Sequence, residues 1–470
     1  MAVPTTGVDS PSPTPAPEGR STRRERVGWY FYDWANSAFS TTVIAVFLGP
    51  YLISIANRAA NCPPAPDDQP GWTCQETLFR AFGHNFLPGS TFPYAVSLSV
   101  LLQVVVLPVV GAIADRSSRK KQLLALFAYI GSGSTIGLIF LTGTRWWLGV
   151  SLFIVANIAF GASIVVYNSF LPQLSDPDNR DDVSSRGWAI GYIGGGLLLA
   201  LNLVAIIVFG TTDERTAEVA RWSLVSAGVW WAAFTTWPLL TLRNRPAVAG
   251  EETGSTILGG FRQLGRTLRH LTQYKLTLYF LIAFLIYNDG IQTVITLAGT
   301  YASEELKLTK DVQIQTILIV QFLAFGGALL MGRLAKTYGA WKTVIASLGL
   351  WLVVVAAAYF LPAKQPLAFM ALGLLLGIVL GGSQALSRSL FSQLIPHGKE
   401  AEYFGLYEIS DKGTSWLGPF VFAFVYDQTG SYRDAIVSLV VFFVVGAIAL
   451  ALIPIRRAII QAGNVPPRVL

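Results

Sequence analysis

The chain has 470 residues, 53% of them hydrophobic and 13% charged, with a mean hydropathy of +0.51 and a formal net charge of +7. A soluble domain of this length does not tolerate that balance, so the composition excludes a soluble enzyme and leaves a polytopic membrane protein. The basic residues are scattered over short stretches beside apolar runs, which excludes nucleic acid as the partner that the net charge serves.

Residues 1–26 are rich in Pro, Ser and Thr, lack an apolar stretch, and end in Arg20, Arg23, Arg24 and Arg26. They are expected to be a disordered cytosolic tail with no cleavable signal, its arginines near anionic lipids. Apolar runs of about 20 residues, the length that crosses the hydrocarbon as helix, then recur along the chain. Twelve spans are predicted, at roughly 28–56, 92–114, 121–142, 146–170, 186–209, 221–241, 275–301, 312–332, 341–361, 366–390, 403–425 and 434–455. With the N-terminus inside, 24 of the 34 Lys and Arg residues fall on the inner side and 9 on the outer, so both termini are expected in the cytosol. The membrane is expected to be the plasma (cell inner) membrane.

The loop after the first span holds Cys62 and Cys74, the two cysteines of the chain, on the predicted outer side. Oxidising surroundings there predict a disulfide closing a loop of about a dozen residues. The next loop reads GAIADRSSRKK: Gly111 at the end of a span, then Asp115, Arg116, Arg119, Lys120 and Lys121. A glycine there lets a neighbouring helix come close, and fixed charges beside it can lock or release that contact. Gly187, Gly191 and Gly195 recur every fourth residue in the fifth span, as do Gly373, Gly377 and Gly381 in the tenth, two smooth stripes for helix packing. The long interruption at 242–274 separates six spans from six. Ile257, Leu258, Phe261, Leu264, Leu268 and Leu271 keep helical spacing there against Arg262, Arg266 and Arg269, which predicts an interfacial amphipathic helix. The halves echo one another: Ser169 to Leu174 corresponds to Ser389 to Leu394, and Gly187 and Gly195 to Gly405 and Gly413. A duplicated bundle follows, with its solute site between the repeats near mid-membrane. The expected domains are 1–26, a first bundle at 27–241, the linker 242–274, a second bundle at 275–456 and a cytosolic tail at 457–470.

The loop at Gly111 resembles the Gly-x-x-x-Asp-Arg-x-Gly-Arg-Arg signature of the major facilitator superfamily, except that Ser118 stands where a second glycine is usual. The stretches Tyr32 to Phe39, Arg186 to Gly196, Tyr287 to Gly290 and Tyr403 to Tyr407 resemble the vacuole-effluxer-like branch of that superfamily. The resemblance implies an all-α membrane protein of twelve transmembrane helices in two pseudo-symmetric six-helix bundles. It also implies that the fifth span faces the eighth, that the tenth lines the cavity, and that Asp115 faces the start of the eleventh. Arg116 and Arg119 would then pair with acids after the fourth span such as Asp176. In the branch's fungal members the implied solutes are amino acids leaving the vacuole.

Polar groups inside the spans are the candidates for chemistry. Asp289 falls mid-span, where a charge costs about 2.5–3.5 kcal/mol on insertion scales, and Asn288 and Gly290 beside it are poor helix formers that predict a local break. Asp289, with Asn288 and Tyr287, is therefore the leading candidate for binding solute or a proton. Asp33, with Asn36 beyond it, lies nearer the cytosolic surface, where hydration or a surface ion pair would satisfy it, so its substitution is expected to matter less. Asn157 and Gln384, like Gln103 and Asn202, read as helix glue or ligand contacts. Glu408 and Lys412 stand at i and i+4, as a helical pair or as part of the cytosolic latch with Gly111, Asp115, Arg116, Arg119 and Asp176. His84, His270 and His397 lack metal-ligand spacing, and no phosphate-cradling loop occurs, so no metal, cofactor or ATP coupling is expected. The reading is a monomeric secondary carrier, not an enzyme, moving a small polar or zwitterionic solute such as an amino acid, with proton coupling as one option. A non-transporting receptor or scaffold, and a lipid carrier, remain as alternatives.

Overall fold

The computed structural model describes residues 21–63, 74, 76–81, 84–245, 269, 272–412, 417–429 and 431–470. The tail at 1–20, nearly all of the predicted amphipathic linker helix, and Gly413 lie outside the described residues. Among the described residues ten helices are long and apolar enough to cross a membrane: Arg23–Ala59, Pro88–Arg116, Lys120–Phe140, Trp146–Leu174, Pro177–Phe209, Lys275–Ala302, Val312–Tyr338, Ala340–Phe360, Pro366–Ser392 and Tyr432–Ala451. Asp213–Thr241 supplies the sixth span, and Glu400–Lys412 with Leu417–Thr429 the eleventh, so the twelve are hereafter numbered in chain order. Large apolar side chains such as Leu101, Ile207, Phe360 and Leu367 face outward, as lipid permits.

Two cores hold the helices. Trp29, Tyr32, Phe39, Phe153, Tyr167 and Trp231 belong to one, and Phe280, Tyr287, Trp351, Phe391 and Tyr403 to the other. Ala401, at the start of span eleven, is buried in the first core. Both ends of the described chain lie at one end of the molecule: Ser21 donates to the Leu174 carbonyl (2.6 Å), and the Arg468 N–H to Asp178 (2.7 Å). This is called the termini end below.

Several expectations change. Residues 21–26 are not part of a disordered tail: Thr22 caps span one, accepting from the Glu25 N–H while the Glu25 carboxylate accepts from its own. The C-terminal segment is likewise structured, with a short helix Ile455–Gln461 and an Asn464 side chain that donates to the Gln393 and Ile395 carbonyls. Span one winds as a π-helix over Phe39–Phe47, a feature with no sequence signal. Span seven is unbroken from Lys275 to Glu304, because the packing of neighbours outweighs the weak propensities of Asn288 and Gly290. Gly290 instead admits the Phe442 and Phe443 side chains against the backbone. The glycine row of span five lies on span one, against Asp33, Ser37 and Thr41, and not on span eight. Span five does face span eight, as the resemblance implies, through Ser185 at Gly332 and through Gly196 beside Gln321 and Phe322. The glycine row of span ten packs on span eight, against Thr316, Val320 and Ala324, so that face lines no cavity.

The loop after span one carries a hairpin of Phe79–Ala81 with His84–Phe86, in which Phe79 stacks on Phe86 (4.5 Å) and on Trp146 (5.2 Å). Cys62 and Cys74 are bonded, closing a separation of 12 residues at the end opposite the termini. Alkylation of the unreduced protein is expected to find no free thiol. Cys62→Ser should lower stability by about 3 kcal/mol at most, since the bridge acts mainly by restricting the unfolded chain. Thermal unfolding of the variant beside the wild type measures that difference.

Candidate functional site

Arg388 lies within the continuously buried end of span ten and is itself only 3% exposed. A guanidinium so deep is stable only when its donors are used and its charge is met. Two of its nitrogens donate to Asp33 Oδ2 of span one, each at 3.4 Å. The same two nitrogens also donate to Asn168 Oδ1 at 3.4 Å and the Ser184 carbonyl at 2.9 Å, and Nε donates to Ser184 Oγ at 3.0 Å. Its carbon lies 4.9 Å from the ring centre of Trp29, 5.3 Å from Trp188 and 5.7 Å from Tyr167. The Tyr167 hydroxyl donates to Asp33 Oδ2 at 2.6 Å, so one carboxylate oxygen collects a phenol and a guanidinium. The pair joins the two bundles. Asp33 is therefore buried and paired across the protein, not hydrated near a surface, and its substitution is expected to matter more than the sequence suggests.

The same helix carries a second set of contacts one turn earlier. Gln384 donates to Asn288 Oδ1 at 2.9 Å, and Asn288 donates to the Asp411 side chain at 2.9 Å and its carbonyl at 3.1 Å. The Tyr287 hydroxyl meets Ser387 Oγ at 2.6 Å. Asp289 points elsewhere: its Oδ2 accepts from the Gly418 N–H at 2.6 Å, at the start of the second piece of span eleven, while Oδ1 is buried with no hydrogen bond among the described residues. Asn157 is glue between spans two and four, donating to Ser99 Oγ at 2.7 Å while its carbonyl accepts from Gln103. Asn36 is buried on span one, one turn beyond Asp33.

At the termini end, Asp115 takes the Ala401 and Glu402 N–H groups at 2.9 and 2.8 Å and the Lys120 ammonium at 3.0 Å. It thus caps the opening turn of span eleven, whose positive end favours an anion. Gly111 makes this possible, because a Cβ there would run into the backbone of Ala401 and Glu402. Ser118 is not among the positive-φ residues, so the turn does not need the absent glycine. Among the described residues no ion pair joins Arg116 or Arg119 to Asp176. Asp178, two residues on, holds Arg468 at 3.5 Å instead, and Arg180 reaches the Ser392 carbonyl at 3.3 Å. Glu408 accepts from Asn168 of the first bundle at 3.1 Å, and the Lys412 side chain lies outside the described residues. Ser184 donates to the Ala385 carbonyl at 2.7 Å, and Ser389 to Asp181 at 2.5 Å. Among the described residues the polar contacts between the bundles gather toward the termini end, which is shut.

Arg388, Tyr167, Trp188 and Asp181 were not legible as site residues. Arg388 falls where a span runs out and reads as one more loop cation; the signal it did offer is its place with Ser387, three and four residues beyond Gln384 and so on one helix face.

A profile of the family described as "Vacuole effluxer Atg22 like" matches residues 21–463. An uncharacterized MFS-type transporter YxiO of Bacillus subtilis (strain 168) is 29% identical over 93% of this chain and 96% of its own length. Autophagy-related protein 22-1 of Penicillium rubens is 28% identical, over 96% of this chain and 93% of that protein. Among solved structures, the major facilitator transporter FucP in its outward conformation superposes with a TM-score of 0.65 at 12% identity, covering 91% of this chain and 97% of that one. A bacterial homologue of the iron transporter ferroportin in an outward-facing state gives 0.61 at 12% identity, covering 91% and 98%. At such identities these two establish the fold.

Proposed function

The chain belongs to the vacuole effluxer Atg22-like family of major facilitator transporters, and from that premise we propose that it carries a small zwitterionic solute, an amino acid in the first place, by alternating access. The observation that carries the reading is the Asp33–Arg388 pair: a carboxylate on one bundle and a guanidinium on the other, buried where the bundles meet. Those two groups complement the ammonium and the carboxylate of a zwitterion, so a solute can replace the protein's own pair as the bundles part. The domain division at the 242–274 linker, and a monomer as the working unit, belong to the same proposal. With the termini placed in the cytosol of a cell inner membrane, the shut end is the cytosolic one. Counterflow of labelled amino acids in proteoliposomes tests this. Saturable exchange supports the carrier, whereas solute binding without exchange in any conformation would make the protein a receptor.

Proton coupling through Asp289 is a second part of the reading, supported by the buried Oδ1, which has no hydrogen-bond partner among the described residues. Asp289→Asn keeps the shape and one acceptor for the Gly418 N–H but cannot release a proton. It should abolish any pH dependence of exchange while leaving the melting temperature near that of the wild type. A variant that exchanges at the wild-type rate with the wild-type pH profile would make Asp289 purely the cap of span eleven's second piece.

A further inference from the structure

We propose that the first bundle contains a preformed guanidinium- or ammonium-binding site, that Arg388 fills it in this conformation as an internal stand-in, and that the transported solute bears such a cationic group. The inference rests on the carrier reading above and adds the solute's charge class to it. Its basis is where the partners of Arg388 come from. Asp33, Asn168 and Ser184 accept its hydrogen bonds, and Trp29, Tyr167 and Trp188 offer it their rings; all six belong to spans one, four and five of the first bundle. Among the described residues no hydrogen bond or ring contact of the guanidinium comes from its own bundle. Every one of those partners is an acceptor or a π-face, so the surroundings are built for a cation and for nothing else.

The walls do not depend on Arg388 for their shape. Trp29 stacks on Tyr167 at 4.4 Å and 13°, and its Nε1 donates to the Tyr167 carbonyl at 3.0 Å. Tyr167 in turn holds Asp33 at 2.6 Å. Gly187 keeps span five close, since a Cβ there would meet Asp33 Oδ2 and the Trp29 ring. These contacts are internal to the first bundle and persist when span ten moves away. Arg388 leaves with span ten, and the site remains with its carboxylate unneutralised.

Two consequences follow from linkage. A solute cation in the vacated site favours the parted state by its differential affinity, and Arg388 favours the shut state by the same measure. Without solute the parted state leaves a carboxylate among apolar rings with no counter-charge, so empty return is suppressed and exchange is favoured.

The test uses the purified full chain in detergent, with methylguanidinium as the probe and leucine and glutamate as controls. Arg388→Ala, which vacates the site, should melt below the wild type and recover in a saturable way with methylguanidinium or arginine, but not with leucine or glutamate. The wild type, whose site is filled, should respond far less, and Asp33→Asn combined with Arg388→Ala should lose the response. Should Arg388→Ala not fold, Arg388→Gln takes its place. An Arg388 variant that responds no more than the double variant overturns the site. In proteoliposomes, arginine and lysine should exchange, and Trp29→Leu should weaken apparent arginine affinity about tenfold. Leucine exchange without arginine exchange overturns the charge class and leaves the carrier standing. Methylguanidinium rescue without exchange of any solute overturns the carrier and leaves the site standing.

Discussion

Replacing Arg388 with methionine is expected to destabilise the protein by about 3–5 kcal/mol and to abolish exchange, the largest single effect at any residue discussed. The cost arises less from the lost attraction than from what remains: Asp33, buried with the Tyr167 phenol as its neighbour and no cation. Asp33→Asn alone leaves the complementary orphan, a guanidinium facing an amide, and should also be severe. The double variant Asp33→Asn, Arg388→Met removes both charges, so it should recover much of the stability lost by either single change while exchange stays absent. Thermal unfolding of the four proteins in detergent gives the coupling directly. Additive losses in the double variant would mean that the two side chains are not a working pair.

The second large effect is expected at Asp115. Asp115→Ala deprives two N–H groups at the start of span eleven of their acceptor and leaves Lys120, itself buried, without its carboxylate. Hydrogen bonds to a charged group contribute about 1.5–3 kcal/mol each, and here both act across the bundles, so the loss falls on the shut state in particular. The termini end should then open more often. A cysteine at Ser392, buried beside Arg180 at that end, reports it, because the Cys62–Cys74 bond leaves no competing thiol among the native residues. Maleimide labelling of Ser392→Cys should speed up when Asp115→Ala is added, and exchange should fall more than expression does. Unchanged labelling would mean that the cap on span eleven is incidental to closure.

What the chain announces by itself is everything that depends on short stretches. The number and length of the spans follow from runs of apolar residues, since each helix must satisfy its backbone internally in lipid. The cysteine bridge follows from the only two thiols of the chain lying a dozen residues apart on one loop. The contact at Asp115 was legible because a whole local motif, Gly111 to Lys121, carries it, and even its departure at Ser118 proves harmless once the turn is seen to need no positive φ. Gln103 and Asn157 could be read as helix glue for the same reason: a lone amide in an apolar helix seeks a neighbour.

The pair at the centre was not legible, and the physical reason is distance along the chain. Asp33 and Arg388 are separated by 355 residues, so no window contains both. Each alone sits near the end of an apolar run, where a charge costs little and means little. Only the packing of span five's glycine row against span one, and the approach of span ten to both, turns those two terminal charges into a buried pair. Asp289 shows the converse. Its depth was evident from sequence, but its partner is a backbone N–H in span eleven, and a backbone donor leaves no trace in residue identity. Sequence thus determined which helices exist and which loops are locked, through local hydrophobic and steric rules. Tertiary structure decided which charges meet, because desolvation and pairing are properties of the assembled interface and of no segment within it.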